Sequence, residues 1–423
     1  MKMVHPVAFA LMLSLGATAM IATPAVAQKQ KKGDKAAAPA ITPSAEFQKG
    51  AVAVDTAIKA KDFATAETQL AAAEPTAKTD DDRYFVGIFH LQIASSKNDN
   101  AGIAKALDML IVNPKTPADA LVTYNNVRGG LALDAKQYDQ AIPYLLKARE
   151  LGFAGAELSV SLARAYGGTG KTSEAIAELD KAIAAEIAAG RKAPESWYGF
   201  AATNLFAARD LPGAEKWLAR QLKEYPKSAT WQTGVLNYRK VVDPSGTVFN
   251  KAQRLELYRM MRTTGALTDQ GDYFRYAQAA VDSGYPWEAV TVIDAGRSTG
   301  KIPAASADAA RIYKTAKDSI EMETTPAIYE KRAQEATVGT KVLEGADVNL
   351  AAGNYAKAAE LYGSALAKGG VNAAEVNLRL GYALANLGRK DEAKAAFAKV
   401  SGAPLGDIAQ FWTIWLDVPQ LTA

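Results

Sequence analysis

An alanine, a large apolar residue four positions on and a small residue three further on recur along the chain: Ala66, Leu70 and Ala73; Ala141, Leu145 and Ala148; Ala175, Leu179 and Ala182; Ala358, Tyr362 and Ala365. The first two positions recur at Ala214 and Leu218, Ala289 and Ile293, and Ala393 and Phe397. Steps of three and four keep these residues on one face of a helix. Alanine suits a place where two antiparallel helices cross closely, and the larger side chain one turn on fills the space beyond. Successive alanines are 75, 34, 39, 75, 69 and 35 residues apart, so each long gap holds a further, degenerate unit. These gaps predict units around Gly102, around Tyr258 and between Arg311 and Gln334, ten in all. An alanine-rich bundle would repeat Ala by chance, but would not place a turn residue five before it at Gly170, Gly284, Gly353 and Gly388.

The most complete copy runs from Asn377 to Phe397, with the pair Leu380 and Gly381, a turn glycine at Gly388, then Ala393 and Phe397. A period near 34 built from such helix pairs resembles the tetratricopeptide repeat. Pro226, twelve residues after Ala214, stands where that family places its closing proline. The large aromatic positions of the first helix are mostly filled by smaller residues, and Val241 to Leu267 matches poorly. The resemblance implies an all-α, right-handed superhelical solenoid of about ten units, several degenerate. Its first helices would line a concave groove that holds an extended peptide or a partner helix. In this register the groove-facing, partner-binding candidates are Asn126, Arg164, Thr203, Phe206, Tyr382 and Asn386. The family's Lys and Asn clamp for a carboxylate terminus is not reproduced, since Asn126, Gly130, Glu157 and Ser161 occupy its positions.

The chain has no cysteine and two histidines, His5 and His90, which excludes thiolate metal sites, disulfides and multi-histidine centres. Met1 and Lys2, an apolar run from Val7 to Ile21 and the small residues ending at Ala27 have the order of a secretory signal. The run is shorter than the roughly 20 residues that span a bilayer. A cleaved signal at 1–27 is expected, then a basic, Ala- and Pro-rich linker at 28–44 and no transmembrane anchor in the mature chain. Lys29, Lys31, Lys32 and Lys35 carry the charge excess of the tail, and without tail and signal the chain balances at 44 residues of each sign. A basic stripe of the kind nucleic acid requires is therefore not expected on the folded part. Three folded segments are expected: an array at 45–240, a divergent helical middle at 241–305, and a second array at 306–423 closed by an aromatic helix containing Phe411, Trp412 and Trp415.

Motifs that suggest chemistry read better as helix punctuation. Ala165 to Thr172 ends in Gly-Lys-Thr like a phosphate-binding loop, but the preceding residues have a helical period where that motif needs a buried strand. Asp80 to Asp82, and Asp269 with Asp272, lack the spaced oxygen ligands of a calcium loop and suit helix starts. His90 lies in an apolar helix with no evident partner. In the middle segment Arg254, Tyr258, Arg259, Arg262, Asp272, Tyr273 and Arg275 could grip an anionic glycan or small ligand, though a solvated helix face accounts for them more cheaply. The expected function is a non-enzymatic periplasmic scaffold with no cofactor or metal, binding envelope proteins or peptides in assembly or export. Anionic-ligand binding by the middle segment is the alternative.

Overall fold

The structure, a computed structural model, describes residues 41–245, 248–322 and 325–419. The expected signal and most of the linker lie outside these residues. Among the described residues every regular element is helical, and the contacts divide the chain into two compact units, Met1–Ala193 and Pro194–Ala423. No helix among them is long and apolar enough to cross a membrane.

The N-terminal unit holds four helix pairs: α1 (Ala45–Lys59) with α2 (Phe63–Ala73), α3 (Asp80–Ser96) with α4 (Asn100–Val112), α5 (Ala118–Asp134) with α6 (Tyr138–Glu150), and α7 (Ala156–Gly168) with α8 (Thr172–Ala188). A single 3-10 turn, Glu74–Thr76, separates α2 from α3. The C-terminal unit holds five more: α9 (Glu195–Ala207) with α10 (Leu211–Glu224), α11 (Ser228–Val242) with α12 (Lys251–Thr263), α13 (Gln270–Asp282) with α14 (Pro286–Ser298), α17 (Gly339–Ala351) with α18 (Tyr355–Lys368), and α19 (Ala373–Asn386) with α20 (Lys390–Phe397); between α14 and α17, α15 (Ala307–Met322) packs on α13 and α14, and α16 (Pro326–Glu335) packs on α17. A final helix, α21 (Leu405–Asp417), follows. Of the three degenerate units expected in the long gaps, two are the pairs α3 with α4 and α11 with α12; the third gap holds α15 and α16, which pack on their outer neighbours and do not form a pair of the repeat kind.

The turn between paired helices has one construction. The residue five before each repeat alanine is left-handed in all seven copies: Lys61, Lys136, Gly170, Arg209, Gly284, Gly353 and Gly388, with φ from 59 to 81°. The next residue donates its amide five positions back, as from Asp62 to Ala57 and from Asp210 to Leu205, which closes the first helix. That same residue caps the second helix; Asp62 and Asp210 accept from the amides of Thr65 and Gly213. All seven repeat alanines are fully buried. Glycines on first helices receive the large residue that follows the alanine: a Cβ on Gly129 would stand 2.7 Å from Leu145, and one on Gly381 would stand 2.3 Å from the Phe397 ring.

The degenerate pair α11 and α12 departs from this pattern. Its connection is longer and is held by Asp243, which accepts from the amide of Val248 at 2.7 Å. Helix α12 packs against α13 and α21 as well as α11. The helices α9 to α11, which the sequence assigns to an array ending at 240, group with the C-terminal helices because α10 and α12 both touch α21.

Candidate functional site

Of the cationic cluster of the middle segment, Arg259 turns out to be core, whereas Arg254 and Arg275 are exposed. Arg259 is 1 % exposed and donates from Nε and Nη2 to both oxygens of Glu288, at 2.9 and 2.6 Å, and from Nη1 to Glu256 Oε1 at 2.8 Å. Glu256 Oε1 also accepts from Arg379 Nε at 3.1 Å, and Arg379 Nη1 reaches Asp347 Oδ2 at 3.0 Å. The hydroxyls of Tyr276, Tyr362 and Tyr285 complete the network by donating to Glu288, Asp347 and Asp347. Burial works against every charge here, yet the facing carboxylates hold both guanidinium groups well above their usual value. Burial likewise pushes the Glu288 carboxyl up, and Arg259 more than offsets this, leaving it below the usual range. Tyr285 is pushed up to about 12 by burial.

This corrects both sequence readings for Arg259, while Arg254 and Arg275 do lie on an exposed face. Arg259 belongs to no solvated face, and its donors already have partners, so it cannot grip a ligand. Arg275 is paired to Asp272 at 2.7 Å, and Arg254 donates to the carbonyl of Phe249. Tyr258 stacks on Tyr276, with ring centroids 5.7 Å apart. Tyr273 is buried beside Gly296. Arg262 forms no direct ion pair; it is partly buried among Tyr276, Tyr382 and Tyr355 near Glu288.

The six groove candidates have different fates. Asn126 is half-buried on α5 and Arg164 is exposed on α7, both in the N-terminal unit. Tyr382 on α19 is 5 % exposed, and its ring lies 5.2 Å from that of Trp412, so the last helix has covered the face that the repeat register leaves open. Asn386, one turn on, is exposed but turns its amide back onto the Tyr382 carbonyl at 2.8 Å.

Thr203 and Phe206, by contrast, share a cleft. On α9, Glu195, Gly199, Thr203 and Phe206 follow one another at steps of four, four and three; on α11, Thr230, Gly234 and Asn237 do so at four and three. These two first helices of consecutive pairs form the walls of a cleft of about 240 Å³, and Leu218 and Gln221 of α10 lie at its base. Gly234 lets the α11 wall close onto the base, since a Cβ there would stand 2.7 Å from Leu218 of α10. Phe206, almost fully buried, forms part of the floor. The Asn237 amide reaches across the cleft to Thr203 Oγ1 at 3.5 Å. The one charge is at one end: burial pushes the Glu195 carboxyl up, but hydrogen bonds from Lys227, Gln221 and Thr230 hold it below the usual carboxylate range. Of this lining the sequence reading named Thr203 and Phe206 and did not name Thr230, Gly234 and Asn237, whose helical spacing was the available signal.

The remaining motifs fall in place as punctuation. Gly170 and Lys171 form the turn between α7 and α8, with a helix on each side. Asp82 and Thr79 form a capping box at the start of α3, and Asp269 caps α13 by accepting from the amide of Asp272. His90 does have a partner, Glu74, with Nε2 3.3 Å from Oε2. Trp412 is fully buried and stacked on Phe397, ring centroids 6.1 Å apart and 6° from parallel, so the terminal aromatics cover the preceding pair. Among the described residues no three His, Cys, Asp or Glu side chains converge on a metal position.

Residues 349–414 match the tetratricopeptide repeat family, over α17 to α21. No curated protein sequence matches the chain. Similar solved structures are the pentatricopeptide repeat protein PPR10 from maize (12% identity, TM-score 0.32, over 85% of this chain and 55% of that one), the apo form of RapI (13%, 0.32, 76% and 97%) and the apo form of the quorum sensor NprR from B. thuringiensis (15%, 0.26, 86% and 98%). The chain thus spans about half the length of the maize protein. The described residues form tetratricopeptide-like helical repeats.

Proposed function

We propose that the protein is an exported, non-enzymatic adaptor that holds an extended segment of a partner polypeptide in the cleft between α9 and α11. The observation that carries this reading is the lining: Thr203, Asn237 and the two glycines give close, neutral walls with hydrogen-bonding groups of both kinds. An extended peptide presents alternating amide donors and carbonyl acceptors, and an asparagine amide answers both. At about 240 Å³ the cleft falls below the roughly 300–1,000 Å³ of small-molecule pockets, which favours a side chain and its backbone over a cofactor.

Export, with a periplasmic destination and partners in envelope assembly, is inferred from the signal-like order of residues 1–27 and from the near-neutral charge of the rest. A photo-crosslinking residue placed at Thr233, which is exposed beside the cleft, tests the binding in cells. Capture of one or two partner polypeptides, lost when Gly199→Trp fills the cleft, is the expected result. Unchanged capture by the filled variant, or none from the open one, rejects the cleft. Fractionation with N-terminal sequencing tests export separately; a mature chain beginning at Gln28 in the periplasmic fraction is expected.

A further inference from the structure

A second cleft, of about 440 Å³, opens between α10 and α21, and two carboxyl groups line it: Glu215 from the first helix and Asp407 from the second. They differ in how they are satisfied. Asp407 Oδ2 accepts from the Tyr238 hydroxyl at 2.8 Å. Glu215 is only 7 % exposed, and its Oε1 has no hydrogen-bond partner. A buried acceptor left without a donor is a defect that native interiors rarely keep, and a second carboxylate beside it aggravates the defect. What the pair lacks is a positive group carrying N–H donors. Gln410 on the same wall offers a further acceptor, and Pro212 and Ile414 give an apolar surface beside the acids.

A divalent metal fits poorly, since calcium and magnesium take six or more oxygens and no third acidic or histidine side chain joins the two. An ammonium carries three donors and one charge on an alkyl stem, which matches two carboxyls, an amide and an apolar wall. We propose that the cleft between α10 and α21 binds a primary alkylammonium group, supplied by a free polyamine or by a lysine side chain of a polypeptide.

The titratable groups around Glu215 are Asp407 on α21, Tyr238 on α11 and Lys216 beside it on α10. Lys216 is exposed and pairs with neither carboxylate. Burial first, and the Asp407 charge second, push the Glu215 carboxyl up to about 8, so at neutral pH it holds a proton. An arriving ammonium favours the ionised form, and that proton leaves to solvent. Binding is therefore coupled to the release of up to one proton near pH 7 and to almost none at pH 9.

Calorimetric titration of the mature protein with butane-1,4-diamine and with Nα-acetyl-lysine N-methylamide, in buffers of different ionisation enthalpy at pH 7 and 9, tests this. Saturable one-to-one binding with the stated proton release is expected, and the tighter of the two probes names the source. Glu215→Gln has the shape and charge of the protonated acid, so its far-ultraviolet dichroism should be unchanged. It should weaken binding about tenfold or more and abolish proton release. Lys216→Ala should keep or strengthen binding. Failure of both probes to bind, binding undiminished in Glu215→Gln, or magnesium chloride binding with the same proton release while both amines fail would each overturn the proposal.

Discussion

The Tyr238 hydroxyl donates to Asp407 Oδ2 at 2.8 Å across 169 residues of chain. With the Tyr238 ring edge-on to Phe411, centroids 5.1 Å apart, this bond ties the last helix to α11 inside the C-terminal unit. Removing the hydroxyl leaves a carboxylate without its donor beside a buried acid. Tyr238→Phe should lower stability by about 1–3 kcal/mol, read by urea unfolding, and hydrogen exchange should quicken across α21 first.

Arg259 is the hub of the buried network, so its loss leaves Glu288 in the interior without a paired counter-charge, held only by the Tyr276 hydroxyl, and leaves Glu256 to Arg379 alone. Arg259→Met should cost roughly 3–5 kcal/mol. The same network sets an acid limit. Because the folded-state pKa of Glu288 is depressed, its contribution is present above the usual carboxylate value of 4.5 and is lost as pH falls through the lower folded value. Equilibrium unfolding followed by tryptophan fluorescence from pH 6 to pH 2.5 should show stability falling below about pH 4.5 in the parent and a weaker fall in Arg259→Met.

Glu215 gives the opposite sign. Its folded-state pKa is raised from 4.5 to about 8, so between those values the folded state binds a proton that the unfolded state has released. Stability from this group is full below pH 4.5 and falls as pH rises toward 8. Glu215→Gln should therefore match the parent near pH 4.5 and exceed it by roughly 2–4 kcal/mol at pH 8.5. Parallel curves at all pH values would show that the acid does not titrate in this window.

Three repeat turns put Lys61, Lys136 and Arg209 in the left-handed conformation that glycine occupies at Gly170, Gly284, Gly353 and Gly388. Side chains with a Cβ carry a penalty of about 1–2 kcal/mol there. Lys61→Gly, Lys136→Gly and Arg209→Gly should each raise stability by about 0.5–1 kcal/mol, after the added unfolded-state entropy of glycine is subtracted. Differential scanning calorimetry of the three single variants checks it; a fall in melting temperature for all three would refute the reading.

The helix pairs were legible because Ala66, Ala141 and their counterparts mark a packing contact that tolerates little else, and that contact is local. The turn was legible where it is glycine and hidden where it is Lys61 or Arg209, since a lysine or arginine at a turn looks like any surface residue. Arg259 was misread for a different reason. Its partner Glu288 is 29 residues away and Arg379 meets Glu256 across 123, and helical spacing looks the same whether a charged face meets water or a distant counter-ion. Tyr382 followed the repeat register correctly onto its helix; what could not be read was that α21 would cover it. The half-legible cleft follows the same rule: Thr203 and Phe206 sit on a clear first helix, while Asn237 belongs to the degenerate pair.

The stacking of Trp412 on Phe397 works as a chain stopper does in polymer growth. Each helix pair leaves a sticky end that the next pair would occupy, and α21 occupies the one left by α19 and α20. A protein cut before Leu405 would bare Phe397 and Tyr382 together, and such ends pair with one another. Removing α21 is thus expected to turn an intramolecular contact into one between copies.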